Sequence, residues 1–316
     1  MDNAATSDPK PREVVAAVCA SLTDVNANPG RCAHRRAISA ARSVYEARVG
    51  LAKLLGVTDP AQIIFTGGCT DSLHLALQGM LGSGSGRVTC SSFEHNSVWR
   101  PLREWARRTG GEVLVAPPGK GGTPLDLRAF EAAVQRSRLC VLTGASNVSG
   151  AILPIRQAAE ICRRADVPLV VDAAQTAGHL SESWDSLGAA AITCAGHKGL
   201  LGPQGTGILY LAPGLDLTPV RLGGTGGNSE EDTPPRVLPD RFEAGTLNTP
   251  GIAGLGAAAD VLARVGLAKR REEEIETLEQ MLQGLKAIPG LRVVGPQEAG
   301  SRTGLRWEPA PNIREV

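Results

Sequence analysis

The chain has 316 residues, 42% of them apolar and 21% charged, a globular balance that argues against disorder. A net charge of +1 argues against nucleic acid or an anionic membrane as the main partner, and the length suits one large domain with a smaller one. No apolar run approaches a membrane span, and the opening MDNAATSDPKP lacks the basic and apolar regions of a signal peptide, so a cytoplasmic protein is expected.

From about residue 33 to residue 266, helical and strand patterns alternate. AHRRAISAARSVYEARVGLAKLLG spaces Ile38, Ala41, Tyr45, Leu51 and Leu55 as one face of an amphipathic helix. QIIFTGG reads as a strand meeting glycines, and TDSLHLALQGML as a helix with Thr70 or Asp71 near its N-cap. Then follow RVTCSS (strand), SVWRPLREWARRTG (helix), EVLVAP (strand), DLRAFEAAVQR (helix) and LCVLTGA (strand). IRQAAEICRRAD (helix), PLVVDAA, AAAITCA and GTGILYLAP (strands) complete the series. Such alternation predicts an α/β protein with a mostly parallel sheet covered on both faces.

After residue 221 the texture changes to a Gly- and Pro-rich segment, GGTGGNSEEDTPPRVLPDRFEAGT, of a length that is usually functional in compact domains. TPGIAGLGAAADVLARV reads as a closely packing helix. KRREEEIETLEQMLQGLKAI reads as a helix with Ile275, Leu278, Leu282 and Leu285 on one face and its charges solvated. GLRVVG is expected to form one strand of a second domain.

The seven cysteines (Cys19, Cys32, Cys69, Cys90, Cys140, Cys162, Cys194) form no CxxC pair, as suits reduced thiols. The five histidines show no metal-ligand spacing, so no metal site is expected.

In an open parallel sheet, ligands bind beyond the carboxyl ends of the strands. Asp172, the His197–Lys198 pair, Asn147, the run Glu94-His95-Asn96, and Cys69 with Thr70 all follow predicted strands. Each alone could be a cap, a turn residue or a satisfied core group. Asp172 is the exception, because a carboxylate ending a buried strand is costly unless a cation or proton donor meets it.

One ligand makes the set coherent. Pyridoxal phosphate needs a lysine for a Schiff base and a carboxylate to keep its ring nitrogen protonated, and Lys198 and Asp172 supply both. TGGCTDSLHL offers a helix N-terminus at Thr70 for the phosphate, His95 could cover the ring, and Gln175 could bond its oxygen. GSGSGR precedes a strand, GKGGT lacks phosphate-loop spacing, and there is no GxSxG nucleophile elbow.

The ordered motifs DNAATS, PKP, NPGR, TGG-x-TDSLHLAL, EHNSVWRPL, SNVSG, VDAAQTAGH, GHKGLLGPQGTG and RFEAGTLNTPG resemble the class V aminotransferase superfamily, closest to its cysteine desulfurase and selenocysteine lyase branch. The resemblance runs from Asp2 to about Gly295. It implies the fold type I architecture of pyridoxal phosphate-dependent transferases, with a seven-stranded, mainly parallel sheet. The implied division is an N-terminal arm at the active-site entrance over 1–12, a large cofactor domain over 13–266, and an incomplete small α+β domain over 267–316.

By the same resemblance Lys198 carries the Schiff base, His95 stacks on the ring, Asp172 pairs with the pyridine nitrogen and Gln175 bonds the ring hydroxyl. Cys69, Thr70 and His197 line the phosphate pocket, and Asn147 lies near the substrate carboxylate. Thr246 reaches the phosphate of the neighbouring subunit, which implies a homodimer. The implied reaction converts L-cysteine to L-alanine and passes sulfur to an acceptor protein. Alternatives are a selenocysteine lyase, another class V lyase or aminotransferase, or a non-catalytic remnant that binds pyridoxal phosphate.

Two departures from the pattern stand out. Ala195 occupies a position where the family usually has a phosphate-bonding hydroxyl. The family's persulfide cysteine and carboxylate-binding arginine have no counterpart: none of the seven cysteines matches, nor do Arg302, Arg306 or Arg314. A C-terminally truncated or frame-shifted product is therefore expected.

Overall fold

A computed structural model describes residues 3–29, 34–225 and 231–304. Asp2, part of the NPGR motif, Cys32, part of the Gly-rich segment, and the tail with Arg306 and Arg314 lie outside the described residues.

The elements run α1 (Arg12–Thr23), α2 (Arg35–Leu55), β1 (Ile63–Thr66), α3 (Cys69–Leu81), β2 (Arg87–Ser91), α4 (Asn96–Thr109) and β3 (Glu112–Ala116). They continue with α5 (Leu127–Val134), β4 (Leu139–Thr143), α6 (Ile155–Arg164), β5 (Leu169–Asp172), α7 (Trp184–Leu187), β6 (Ala191–Ala195) and β7 (Gly207–Leu211). Helices α8 (Thr249–Val265) and α9 (Leu267–Lys286) close the series.

The strands form one seven-stranded sheet in the order β1-β7-β6-β5-β4-β2-β3. All neighbours are parallel except β7, which runs antiparallel to both β1 and β6. Strands β4, β5 and β6 are buried throughout, the signature of central strands covered on both faces. Successive residues therefore enter opposite cores. Leu142, Val171 and Ile208 pack on the face that carries Leu51, Phe130 and Leu255, while Val141, Val170 and Leu209 pack with Leu73, Leu77 and Leu102.

Three expectations are corrected and one helix is added. Helix α2 buries Ala37, Ala40, Val44 and Ala47 along with Leu51 and Leu55, whereas Ile38 and Tyr45 are 59% and 62% exposed. Its small residues lie against the small-residue helix α8, where Gly256 comes so close to Ala47 that a Cβ there would sit 2.7 Å from the alanine methyl. Helix α3 is capped by Gly68, not by Thr70 or Asp71. GLRVVG forms no strand; the C-terminal segment meets the rest of the chain through an isolated bridge between Ala151 and Arg302. An unforeseen helix, α1, precedes the alternating region and packs on α8, with the Val18 side chain against Gly254. Helix α9 does place Leu278 and Leu282 inward, with Ile275 beside them, against Ala299.

Candidate active site

The carboxyl ends of β2, β4, β5 and β6 and the start of α3 surround a cavity of about 510 Å³. Cys69, Thr70, His95, Asn147, Asp172, Gln175, His197 and Lys198 all line it, so the local rule of strand-end placement brings eight residues from separate stretches of the sequence together. Thr246 does not line it. It is exposed, and its hydroxyl accepts a hydrogen bond from Asn28 Nδ2 at 3.4 Å.

Asp172 forms the floor, 2% exposed at the end of β5. Its Oδ1 accepts from Ala174 N at 2.9 Å and from Cys69 Sγ at 3.3 Å, while Oδ2 accepts from none of the described residues. A buried carboxylate with one oxygen held and the other free calls for a cationic N–H from the cavity. Burial, and then the Asp172 charge, push the Cys69 thiol well above its ordinary range, so this cysteine is a protonated donor.

Helix α3 opens on the cavity with Gly68, Cys69 and Thr70, and the first-turn amides of a 13-residue helix are an anion-binding feature. Asp71 is turned away from that role: its Oδ2 accepts from Gly67 N at 3.0 Å and pairs with Arg221 at 3.4 Å. Ala195 lines the same space with a methyl group, so no hydroxyl is offered there.

His95 caps α4, its Nδ1 accepting from Ser97 N at 3.1 Å and lying 2.7 Å from Ser97 Oγ. The cap fixes the ring and leaves Nε2 to face other groups. Glu94, the residue before it, accepts through Oε1 from Ser91 Oγ at 2.5 Å and Thr143 N at 3.0 Å, while its enclosed Oε2 has no partner among the described residues. Burial raises its carboxyl to about 8, against the hydrogen bonds from Ser91 and Thr143, with the Asp172 charge adding to the rise.

Lys198 stands half-buried between His197 and Gly199. Burial lowers the His197 imidazole below the usual histidine range, and the Lys198 and Lys10 cations lower it further. His197 is thus neutral at neutral pH. Gln175 gives its side-chain N–H to Ala4 O at 3.2 Å, so the N-terminal arm lies against the site. The resemblance implied an arm over 1–12 at the entrance but gave no role to Thr6, Ser7, Lys10 or Ser97, and the arm has no periodic pattern to reveal their contacts.

The profile of the aminotransferase class-V family matches residues 1–306. The chain belongs to that family. A probable cysteine desulfurase of Methanothermobacter thermautotrophicus is 31% identical over 299 residues, which cover 93% of this chain and 74% of that one. A cysteine desulfurase of Cronobacter sakazakii is 32% identical over 308 residues, covering 94% and 75%. Among solved structures, the apo cysteine desulfurase of Thermococcus onnurineus superposes with a TM-score of 0.85 at 28% identity, over 96% of this chain and 76% of that one. A cysteine desulfurase of Escherichia coli gives 0.82 at 28% identity, over 95% and 76%. The seven-stranded class V architecture is therefore that of a fold type I pyridoxal phosphate enzyme.

Proposed function

We propose that this class V chain binds pyridoxal 5'-phosphate on Lys198 and acts on L-cysteine as a desulfurase. The observation that carries the reading is that one cavity is lined by a lysine and by a buried carboxylate, one of whose oxygens accepts from none of the described residues, beside the N-terminus of α3. The cofactor, when bound, supplies an electron sink for charge developing at the substrate Cα. Asp172 Oδ2 would hold the ring-nitrogen proton, and the α3 amides with Thr70 would hold the phosphate. His95, oriented by its cap, would cover the ring. Lys198, lining the same cavity, would carry the cofactor, and its Nζ would serve as the base for the Cα proton.

Among the described residues, Cys69 is the cysteine that lines the cavity, and its thiol is protonated and bonded to Asp172. A thiol held as a donor to a carboxylate is poorly suited to accept sulfur. This favours a second reading, cleavage of a C–S or C–Se bond with the chalcogen released to a thiol from outside the cavity, as a selenocysteine lyase or other class V lyase would do. Thr246, exposed and outside the cavity, is the residue we assign to the phosphate of a second copy in a homodimer.

The deciding experiment adds pyridoxal phosphate to the purified chain, records the visible spectrum, reduces with borohydride and maps the modified peptide. An adduct on Lys198, absent from Lys198→Ala, supports the reading, and alanine release from L-cysteine then separates desulfuration from other lyase chemistry. A folded chain without an adduct is a non-catalytic remnant.

A further inference from the structure

The peptide that carries Lys198 is held at four consecutive carbonyls. Two bonds are local: Gly196 O accepts from Gly202 N at 2.7 Å, and Lys198 O from Leu201 N at 2.9 Å. The other two come from opposite ends of the chain. His197 O accepts from Lys10 Nζ at 2.9 Å, from Ser7 N and Ser7 Oγ at 3.0 Å each, and from Thr6 Oγ1 at 3.3 Å. Gly199 O accepts from Arg270 Nη1 at 2.5 Å. The carbonyls immediately before and after Lys198 thus each receive a cationic donor.

Both cations are spent on these carbonyls. Lys10 Nζ makes its other bond to Ser7 Oγ at 2.7 Å. The Glu274 carboxylate, close to Arg270, bonds His179 and Arg271 instead. Charge-assisted bonds are roughly twice as strong as neutral ones, and a guanidinium withdrawn from water without a directly bonded carboxylate depends on its carbonyl acceptors.

The same two groups also reach the loop that follows Asp172. Arg270 Nη1 donates to Gly178 O at 2.8 Å as well as to Gly199 O. The arm touches that loop through Gln175 Nε2 and Ala4 O, at 3.2 Å. The two loops are in contact along this seam: a Cβ at Gly178 would lie 2.2 Å from Gly199 O, and a Cβ at Gly199 would lie 2.3 Å from Ala177 O. Two bridges therefore join the Asp172 loop to the Lys198 loop, one through the arm and one through α9.

We propose that Lys10 and Arg270 are positioning residues that clamp the Lys198 peptide from both sides and set the Lys198 amine against Asp172, an inference that rests on the cofactor reading above.

The test uses the full chain and the variants Lys10→Met, Arg270→Met, Lys10→Arg and Arg270→Lys. Hydrogen exchange of the cofactor-free protein reads the Leu201 and Gly202 amides, with β4 (Leu139–Thr143) as the internal control. Each methionine variant should speed exchange at 201–202 by about tenfold while β4 stays protected, and each conservative variant should restore protection. The rate of borohydride-trapped adduct formation with pyridoxal phosphate should fall in the same order. Unchanged exchange at 201–202 overturns the clamp, as does an equal rise in β4, which would mark both side chains as general supports of the fold. A wild-type chain that forms no adduct overturns the cofactor reading, whatever the exchange shows.

Discussion

The Cys69 thiol and the Asp172 carboxylate lie 3.3 Å apart, with the sulfur donating. A thiol that donates to an anion is the reverse of a nucleophile, since the neighbouring charge keeps its proton in place. Cys69 should therefore alkylate with iodoacetamide at least about tenfold more slowly than the exposed Cys19 at about pH 8, although the cavity admits small reagents. Mass-spectrometric mapping after partial labelling checks this, and preferential labelling of Cys69 would return it to consideration as a sulfur carrier.

Asp172→Asn keeps the shape of the cavity floor and removes the charge. Ala174 N and Cys69 Sγ can still donate to the amide oxygen, so the fold should be retained. On the proposed reading, what is lost is the acceptor for a ring-nitrogen proton, and with it about 1.5–3 kcal/mol of charged hydrogen bonding, or roughly tenfold to hundredfold in cofactor affinity. Proton exchange at the Cα of bound L-alanine, followed by NMR in deuterium oxide, should fall further, by at least about a hundredfold. Exchange at the wild-type rate would show that Asp172 does not serve the ring nitrogen.

Glu94 makes folding pH-dependent. Its carboxyl rises from 4.5 to about 8 in the folded chain, mainly through burial. Below about 4.5 both folded and unfolded states hold the proton, and above about 8 both have lost it. Between these limits the unfolded state binds fewer protons, so stability falls as pH rises, by an amount on the order of a few kcal/mol. Glu94→Gln retains an acceptor for Ser91 and Thr143 and cannot ionise. Urea unfolding across this window should therefore be flatter for the variant, which should be the more stable protein at about pH 8. Parallel curves for the two proteins would mean that Glu94 is already ionised in the fold.

What the sequence revealed and what it hid follow from the range of the interactions. LCVLT and LVVD announce central parallel strands because both of their faces are buried, and a strand end is itself a local address, so Lys198, Asp172 and His95 could be noticed singly but pointed to one ligand only as a set. The buried face of α2 could not. Its large residues Ile38 and Tyr45 point outward, and the alanines that pack on α8 give no hydrophobic contrast. GLRVVG has the composition of a strand, but among the described residues no strand lies beside it to pair with. Lys10 and Arg270 meet the Lys198 loop across 187 and 71 residues, and neither sits in a pattern that signals the contact.

Arg48 and Glu243 form a doubly bonded ion pair, 5% and 8% exposed, with both N···O distances at 2.8 Å. Arg48 also bonds Ile63 O and lies 4.5 Å from the centre of the Phe65 ring, while Glu243 Oε1 accepts from Phe65 N at 2.7 Å. The pair thus fastens α2 and the segment before α8 to the edge strand β1. Burial raises the Glu243 carboxyl, and Arg48 opposes that rise. Arg48→Met leaves the carboxylate buried and alone, which should destabilise the chain by about 3–5 kcal/mol. Glu243→Leu strands the guanidinium and the Phe65 amide, with a similar cost. In the double variant no charge remains buried, so its loss should be well below the sum of the two, with a coupling of at least about 2 kcal/mol in a urea-unfolding cycle. Simple additivity would show that the two side chains act independently, and the joint between α2 and β1 would then rest on apolar packing alone.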